Sequence, residues 1–312
     1  MGKKSSSEKL VIAAASAGAA VGAAYLAVGN AIFNKTMSKK SIAKKMDEKK
    51  NEYDGITKEG MEWFDSASPA KVKIVTPRGG YVHGEIILAD EPSDVWVIVI
   101  HGYTGSPRRM GSFGKKFHEM GYNCLFPYLC GHGASESNYV TMGWNDRIDI
   151  KAWIDYIINE NANAKIVLFG LSMGAATVMM TTGEPLESNV ICAIEDCGYT
   201  SVWDECRANM KDAYGLPTFP FLSAARSATM LRAGYDRASS RSRAPSRRPC
   251  SSMATRTTLS RSGCRSASTA PPRATKRSWL SPAHRTQRPR PSTPKNIGQQ
   301  LISLSRSIFD NN

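Results

Sequence analysis

The stretch best suited to chemistry is Gly170-Leu171-Ser172-Met173-Gly174. An apolar run, Lys165-Ile166-Val167-Leu168-Phe169, precedes it, and Ala175-Ala176-Thr177-Val178-Met179-Met180 follows. This order predicts a strand, a tight turn and a helix, the setting in which a serine between two glycines becomes a nucleophile. The turn forces the serine into a strained backbone conformation with its hydroxyl exposed, and Gly170 and Gly174 leave room for close strand–helix packing. A helix starting at Ser172 points its free N–H groups at any oxyanion formed there. An ordinary strand–loop–helix turn is the plain alternative, and the flanking pattern favours the nucleophile.

Other residues set limits on the chemistry. The 312-residue chain has a formal charge of +14, which suggests nucleic acid until its location is read. From Arg237 onward sixteen Lys and Arg face one acid, Asp310, so this tail carries +15 and residues 1–236 carry −1. The part able to fold therefore has no basic excess, and nucleic acid is not an expected partner. Cysteines 124, 130, 192, 197 and 206 lie before the tail and 250 and 264 within it, none at metal-ligand spacing. An odd five suggests free thiols and a reducing compartment.

The elements that must position Ser172 follow from periodicity. Leu10 to Phe33 is uncharged and long enough to span a bilayer as a helix. Lys3, Lys4 and Lys9 would also suit a cleaved signal peptide, but the apolar stretch is long for one, which favours an uncleaved anchor. Lysines 35, 39, 40, 44, 45, 49 and 50 follow it, an excess that favours a cytoplasmic catalytic side. The Met1-Gly2 start with Ser6 fits a myristoylation pattern, read here as coincidence. Ser41–Phe64 reads as a charged helix, a stalk ended by Pro69. Strands are predicted at Lys71–Thr76 and Tyr81–Leu88, joined by Arg78-Gly79-Gly80. Val95–Ile100 and Asn123–Leu129 have the continuous apolar character of buried parallel strands. Phe113–Met120 and Asp146–Ile158 read as amphipathic helices, Val190–Ile194 as a strand and Val202–Tyr214 as a helix. Strands alternating with helices predict a mostly parallel sheet covered on both faces.

Three landmarks carry a family resemblance: His101-Gly102-Tyr103-Thr104-Gly105 after the third strand, Gly131-His132-Gly133-Ala134-Ser135 after the fourth, and the Ser172 turn after the fifth. In order and spacing, residues 71–236 resemble the α/β-hydrolase superfamily, specifically its serine aminopeptidase and monoacylglycerol-lipase-like branch. The anchor and lysine-rich segment resemble hydrolases of this type from Gram-positive bacteria. The resemblance implies a three-layer α/β sandwich with Ser172 as nucleophile and an oxyanion hole made by the backbone N–H groups of Tyr103 and Met173. Gly102 and Gly105 shape that loop. His101 and His132 have structural roles in the resemblance, because the base arrives from a loop after the last strand. Asp196, in Glu195-Asp196, occupies the place of the triad acid in some relatives, although a capping or lid-supporting carboxylate is the simpler reading. Residues 200–234 read as a lid hinged at Gly215–Leu222. No metal or organic cofactor is implied.

After Tyr235 the pattern stops. The resemblance still requires a strand, an acid, a strand, a histidine and a final helix, whereas this tail is rich in Arg, Ser, Pro, Ala and Thr. Its acids are Asp236 and Asp310 and its histidine is His284. Such a composition cannot bury two strands. Three readings compete: a basic arm for nucleic acid or anionic lipid, a substitute C-terminus using His284 as base, or translation in the wrong frame. The genetic code favours the third. Reading the third base of each codon with the next two, Met253-Ala254 forces glycine, and Ser252 through Arg261 permit His-Gly-Asp-Ala-Asp-Asp-Phe-Val-Pro. That string suits the loop of the triad acid. Pro282 through Thr286 permit Gly-Ala-Ser-His, suiting the base, and Asn296-Ile297-Gly298 permit Tyr-Trp. The concealed acid and histidine fall near Arg256-Thr257 and Arg285-Thr286, in the required order after Ser172. On this reading His284 is not placed as a base.

The expected organisation is a basic start at 1–9, an anchor at 10–33, a stalk at 34–68, a hydrolase core at 69–236 and an out-of-frame tail at 237–312. The expected function is hydrolysis of a carboxylic ester, or of an amide or peptide, through an acyl-enzyme, in a chain lacking its acid and base. A membrane-tethered, non-catalytic scaffold with a basic arm is the second reading.

Overall fold

A computed structural model describes residues 5–48, 55–215 and 217–233. The tail from 237 to 312, with His284 and the concealed acid and base, lies outside the described residues. Six strands form one sheet in the order β1-β2-β4-β3-β5-β6: β1 (Ala70–Val75), β2 (Tyr81–Ile87), β3 (Val95–Ile100), β4 (Asn123–Pro127), β5 (Lys165–Leu171) and β6 (Val190–Asp196). β1, β2 and β4 pair antiparallel, and β4, β3, β5 and β6 pair parallel. β3 is apolar without interruption because helices cover both faces. Trp96, Ile98 and Ile100 join the core on one side, and Val95, Val97 and Val99 join the core on the other.

Eight α-helices and a short 3-10 helix (Arg108–Met110) complete the described chain: α1 (Ser6–Met37), α2 (Lys39–Glu48), α3 (Gly55–Ser66), α4 (Gly111–Glu119), α5 (Asp146–Glu160), α6 (Met173–Thr182), α7 (Val202–Tyr214) and α8 (Thr218–Ala233). Phe64 of α3 and Phe117 of α4 pack on the Val97 face, while Ile150 and Trp153 of α5 and Val178 of α6 pack on the Ile98 face. This is the expected three-layer α/β-hydrolase sandwich. β6 has its only neighbour among the described strands on one side, and Ile191, Cys192 and Ile194 are only half-buried there.

Within the segment 34–68, expected as a stalk, the described helices α2 and α3 pack on the domain. Their apolar residues explain this: Phe64 sets its ring edge-on against Phe126, with centroids 5.0 Å apart, and Ile42 is fully buried. The junction of α1 and α2 is tied down by Val140 N–H donating to Met37 O and Lys39 N–H donating to Asn138 O. α1 is also longer than the uncharged run 10–33, and its last turns lie against α8. A Cβ on Gly29 would fall 2.2 Å from the Ala224 carbonyl oxygen, so only glycine allows this approach. Arg232 donates to the Asn34 side-chain oxygen further along the same pair of helices.

Candidate active site

β5 delivers the chain to Ser172 at the centre of the sheet, and α6 begins at the next residue. Ser172 has φ 55° and ψ −111°, a conformation costly for a side chain with a Cβ and tolerated where surrounding structure over-determines it. Two features impose it here. Ser172 N–H donates to the Asp196 carbonyl oxygen at 2.7 Å, pinning the turn to the end of β6. Gly170 and Gly174 allow contacts that a Cβ would prevent: one on Gly170 would lie 2.3 Å from Gly174 O, and one on Gly174 would lie 2.1 Å from Ile100 O.

Ala176 N–H donates to Ser172 O at 3.0 Å, closing the first turn of α6. Met173, at the first helical position, has no in-helix acceptor for its N–H, which is directed with the helix dipole toward the N-terminal end. The loop after β3 faces this end: a Cβ on Gly102 would lie 3.4 Å from the Ser172 Cβ, and one on Gly105 would lie 2.9 Å from the His101 Cβ. Gly105 N–H donates to Gly102 O at 2.9 Å, closing the loop into a turn around Tyr103.

Both histidines of the landmarks are committed to backbone. His101 is fully buried, and burial, followed by its neighbour His132, lowers its pKa to about 3. Leu129 N–H donates to its Nε2, which fixes the proton on Nδ1, and Nδ1 donates to Gly102 O at 2.8 Å. His132 places Nδ1 2.9 Å from Cys130 O and Nε2 against Tyr103 O, so its ring joins the two loops. Of the four histidines among the described residues, none is among the residues lining the cavity beside Ser172. Asp196 is buried at the end of β6, paired in register with Leu171, so its backbone supports the turn directly. Glu195 beside it is pushed up to about 7 by burial.

The N-terminal helices hold the same loop from outside, which sequence reasoning missed. The Tyr103 hydroxyl donates to Thr36 O, Lys45 Nζ lies 3.3 Å from that hydroxyl, and Arg109 reaches both Thr104 O and Met46 O. Burial, then repulsion from Lys35, lowers the Lys45 pKa. Ser172 opens into a cavity of about 600 Å³ walled by Ile32, Phe33 and Met37 of α1, Trp203 and Met210 of α7, and Leu222 of α8. Its lining is chiefly apolar, and its size falls within the roughly 300–1,000 Å³ usual for small-molecule sites. Tyr199, whose hydroxyl donates to Met142 O, closes one side.

Cys130, Asp146 and Asp149 form a second cluster, with ligand-type atoms within 4.8 Å of one another. Its oxygens are occupied by protein donors. Asp146 accepts from Cys130 N–H, the Thr141 hydroxyl and Gly143 N–H, and Asp149 accepts from the Thr76 hydroxyl and the Arg78 guanidinium. The guanidinium supplies the positive charge a cation would bring. The cluster ties the β1–β2 turn to the start of α5.

A strained serine between a central parallel strand and a helix, facing a glycine loop, is the arrangement of the α/β-hydrolase fold. Residues 91–193 match the family model described as serine aminopeptidase, S33. An uncharacterized protein of Bacillus subtilis (strain 168), YqkD, is 26% identical over 193 residues, covering 60% of this chain and 63% of that protein. A carboxylesterase of the same organism is 29% identical over 107 residues, covering 33% of this chain and 39% of that one. Among solved structures, the Pyrococcus furiosus esterase Pf2001 is 26% identical, with a TM-score of 0.44 over 52% of this chain and 63% of its own. The chain thus spans less than two thirds of the length of the curated relatives it matches.

Proposed function

We propose that this chain is the body of a membrane-anchored serine hydrolase that cleaves a carboxylic ester, with an amide as the lesser candidate, through an acyl-enzyme. The observation that carries the reading is Ser172 at φ 55° between β5 and α6, opening into an apolar cavity. Ser172 Oγ attacks the ester carbonyl carbon while a base takes its proton, and the N–H groups of Met173 and Tyr103 hold the oxyanion. Collapse of that intermediate expels the alcohol and leaves an acyl-serine, which water then hydrolyses. The acid is the aspartate concealed in the shifted frame near Arg256-Thr257, with Asp196, beside the turn, as the alternative. The base is the histidine concealed in the shifted frame near Arg285-Thr286, so the chain as translated here is expected to be inactive or nearly so. Leu10–Phe33 anchors it with the hydrolase on the cytoplasmic side, where cysteines 124 and 130 stay inaccessible to an impermeant thiol reagent in intact cells and react after lysis and denaturation.

Two experiments test this reading. Resequencing the gene from codon 230 to the stop should locate a frame error, and an intact sequence whose shifted frame lacks the Asp and His codons would refute the shift. With the frame restored, short-chain p-nitrophenyl ester hydrolysis should fall by orders of magnitude in Ser172→Ala. Retained hydrolysis would remove Ser172 from the reaction.

A further inference from the structure

The placement of the cavity relative to α1 bears on the substrate itself. Leu10–Val28 is nineteen residues, uncharged and exposed except for half-buried Tyr25. As a helix it is about 28 Å long, close to the ~30 Å hydrocarbon thickness of a bilayer. Burial begins at the next residue, Gly29, where α8 closes on α1. The cavity wall begins at Ala31, about 3 Å further along the helix axis, and continues through Ile32, Phe33, Thr36 and Met37. α8, which forms the facing wall through Leu222, Ala225 and Thr229, also exposes Phe219, Met230 and Leu231. A helix whose apolar surface changes from lipid-length exposure to cavity wall within about one turn fixes the depth of the cavity. No flexible linker separates the two functions.

We propose that α1 is part of the substrate site as well as the tether. Its turn at 31–37 walls the cavity at the bilayer surface, so the substrate is a bilayer-resident acyl amphiphile whose chain packs between α1 and the α7–α8 pair. The proposal rests on the readings of α1 as a span and Ser172 as nucleophile. An acyl chain moving from lipid into this cavity exchanges one apolar surrounding for another and avoids the cost of crossing water. The same segment restrains Tyr103 through the Thr36 carbonyl, so substrate wall and oxyanion loop are held by one element.

Photolabelling of the full chain in phosphatidylcholine vesicles tests this without turnover. A photoactivatable palmitic acid should give adducts on Met37, Cys206 or Met210 of the cavity as well as along 10–28, and excess oleic acid should suppress the cavity adducts selectively. Ile32→Trp, and independently Leu222→Trp from the opposite wall, should lower the cavity adducts roughly tenfold, equivalent to about 1.4 kcal/mol of lost acyl contact, while adducts along 10–28 persist. Those persisting adducts, with unchanged far-UV circular dichroism, show that each variant has inserted and folded. Adducts confined to 10–28, cavity adducts indifferent to both substitutions, or release of the chain from vesicles by alkaline carbonate would each overturn the proposal. Failure of Ser172 as nucleophile would show in ester hydrolysis and leave the adduct pattern readable.

Discussion

Replacing Gly174 with alanine isolates the packing that creates the strained serine. An added Cβ would sit 2.1 Å from Ile100 O and 2.8 Å from both Ile100 C and His101 O. All three are backbone atoms of β3 and its following loop, so no rotamer change relieves the contact and α6 must move away. Forcing extra volume into a packed interior costs about 1–3 kcal/mol, and alanine returns about 0.8–1 kcal/mol of helix propensity. Because only backbone can yield, the upper end applies and the net loss is about 2 kcal/mol. For a domain of this size that lowers the melting temperature by about 4–8 °C. The Met173 N–H moves with the helix, so ester hydrolysis in the frame-restored protein should fall further than the stability loss explains. Gly121→Ala is the control: its φ is +79° and nothing lies within 4 Å, so it pays only the left-handed backbone cost of about 1–2 kcal/mol and keeps its hydrolysis rate. Thermal unfolding followed by tryptophan fluorescence, with ester hydrolysis beside it, reads both. A Gly174→Ala protein that melts at or above the parent and hydrolyses at the parent rate would refute the argument.

Other substitutions probe separate parts of the account. Arg78→Met strands the buried Asp149 carboxylate and should cost about 3–5 kcal/mol in urea unfolding, whereas a loss below 1 kcal/mol would mean the pair is dispensable. Glu195 is pushed up to about 7 from an ordinary 4.5, so between those values the folded state holds a proton that the unfolded state has released. Stability should therefore decline as pH rises from about 4.5 to 7 and level off above, and Glu195→Gln should remove that decline, as read by unfolding across the pH range. Deleting 1–48 from the frame-restored protein should abolish most hydrolysis even of a water-soluble ester, because Tyr103 loses its contacts with Thr36 and Lys45.

The residues explain which of these features the sequence could disclose. Val95–Ile100, Lys165–Leu171 and the glycines around Ser172 impose their structure through local periodicity and turn sterics, so their elements and the strained serine were legible. Phe64 was not, because its partner Phe126 lies in a strand far along the chain and the charged residues around it read as solvated helix. Gly60, Trp63 and Phe64 were the available signal for a packed face. Arg78 looked like part of a hairpin turn, and its partner Asp149 is 71 residues away. The most consequential miss was the end of α1. Gly29 and Phe33 belong to the same apolar run as the exposed Val21 and Leu26, and hydropathy does not distinguish lipid from a protein cavity as the apolar partner.

The central claim, that Ser172 carries the reaction, is tested most directly by treating the frame-restored protein with a fluorophosphonate and sequencing the labelled peptide by mass spectrometry. The account predicts a single phosphonyl adduct on Ser172, absent from Ser172→Ala and lost together with ester hydrolysis. An adduct on another residue, or an unlabelled Ser172 in a protein that still hydrolyses esters, would contradict it.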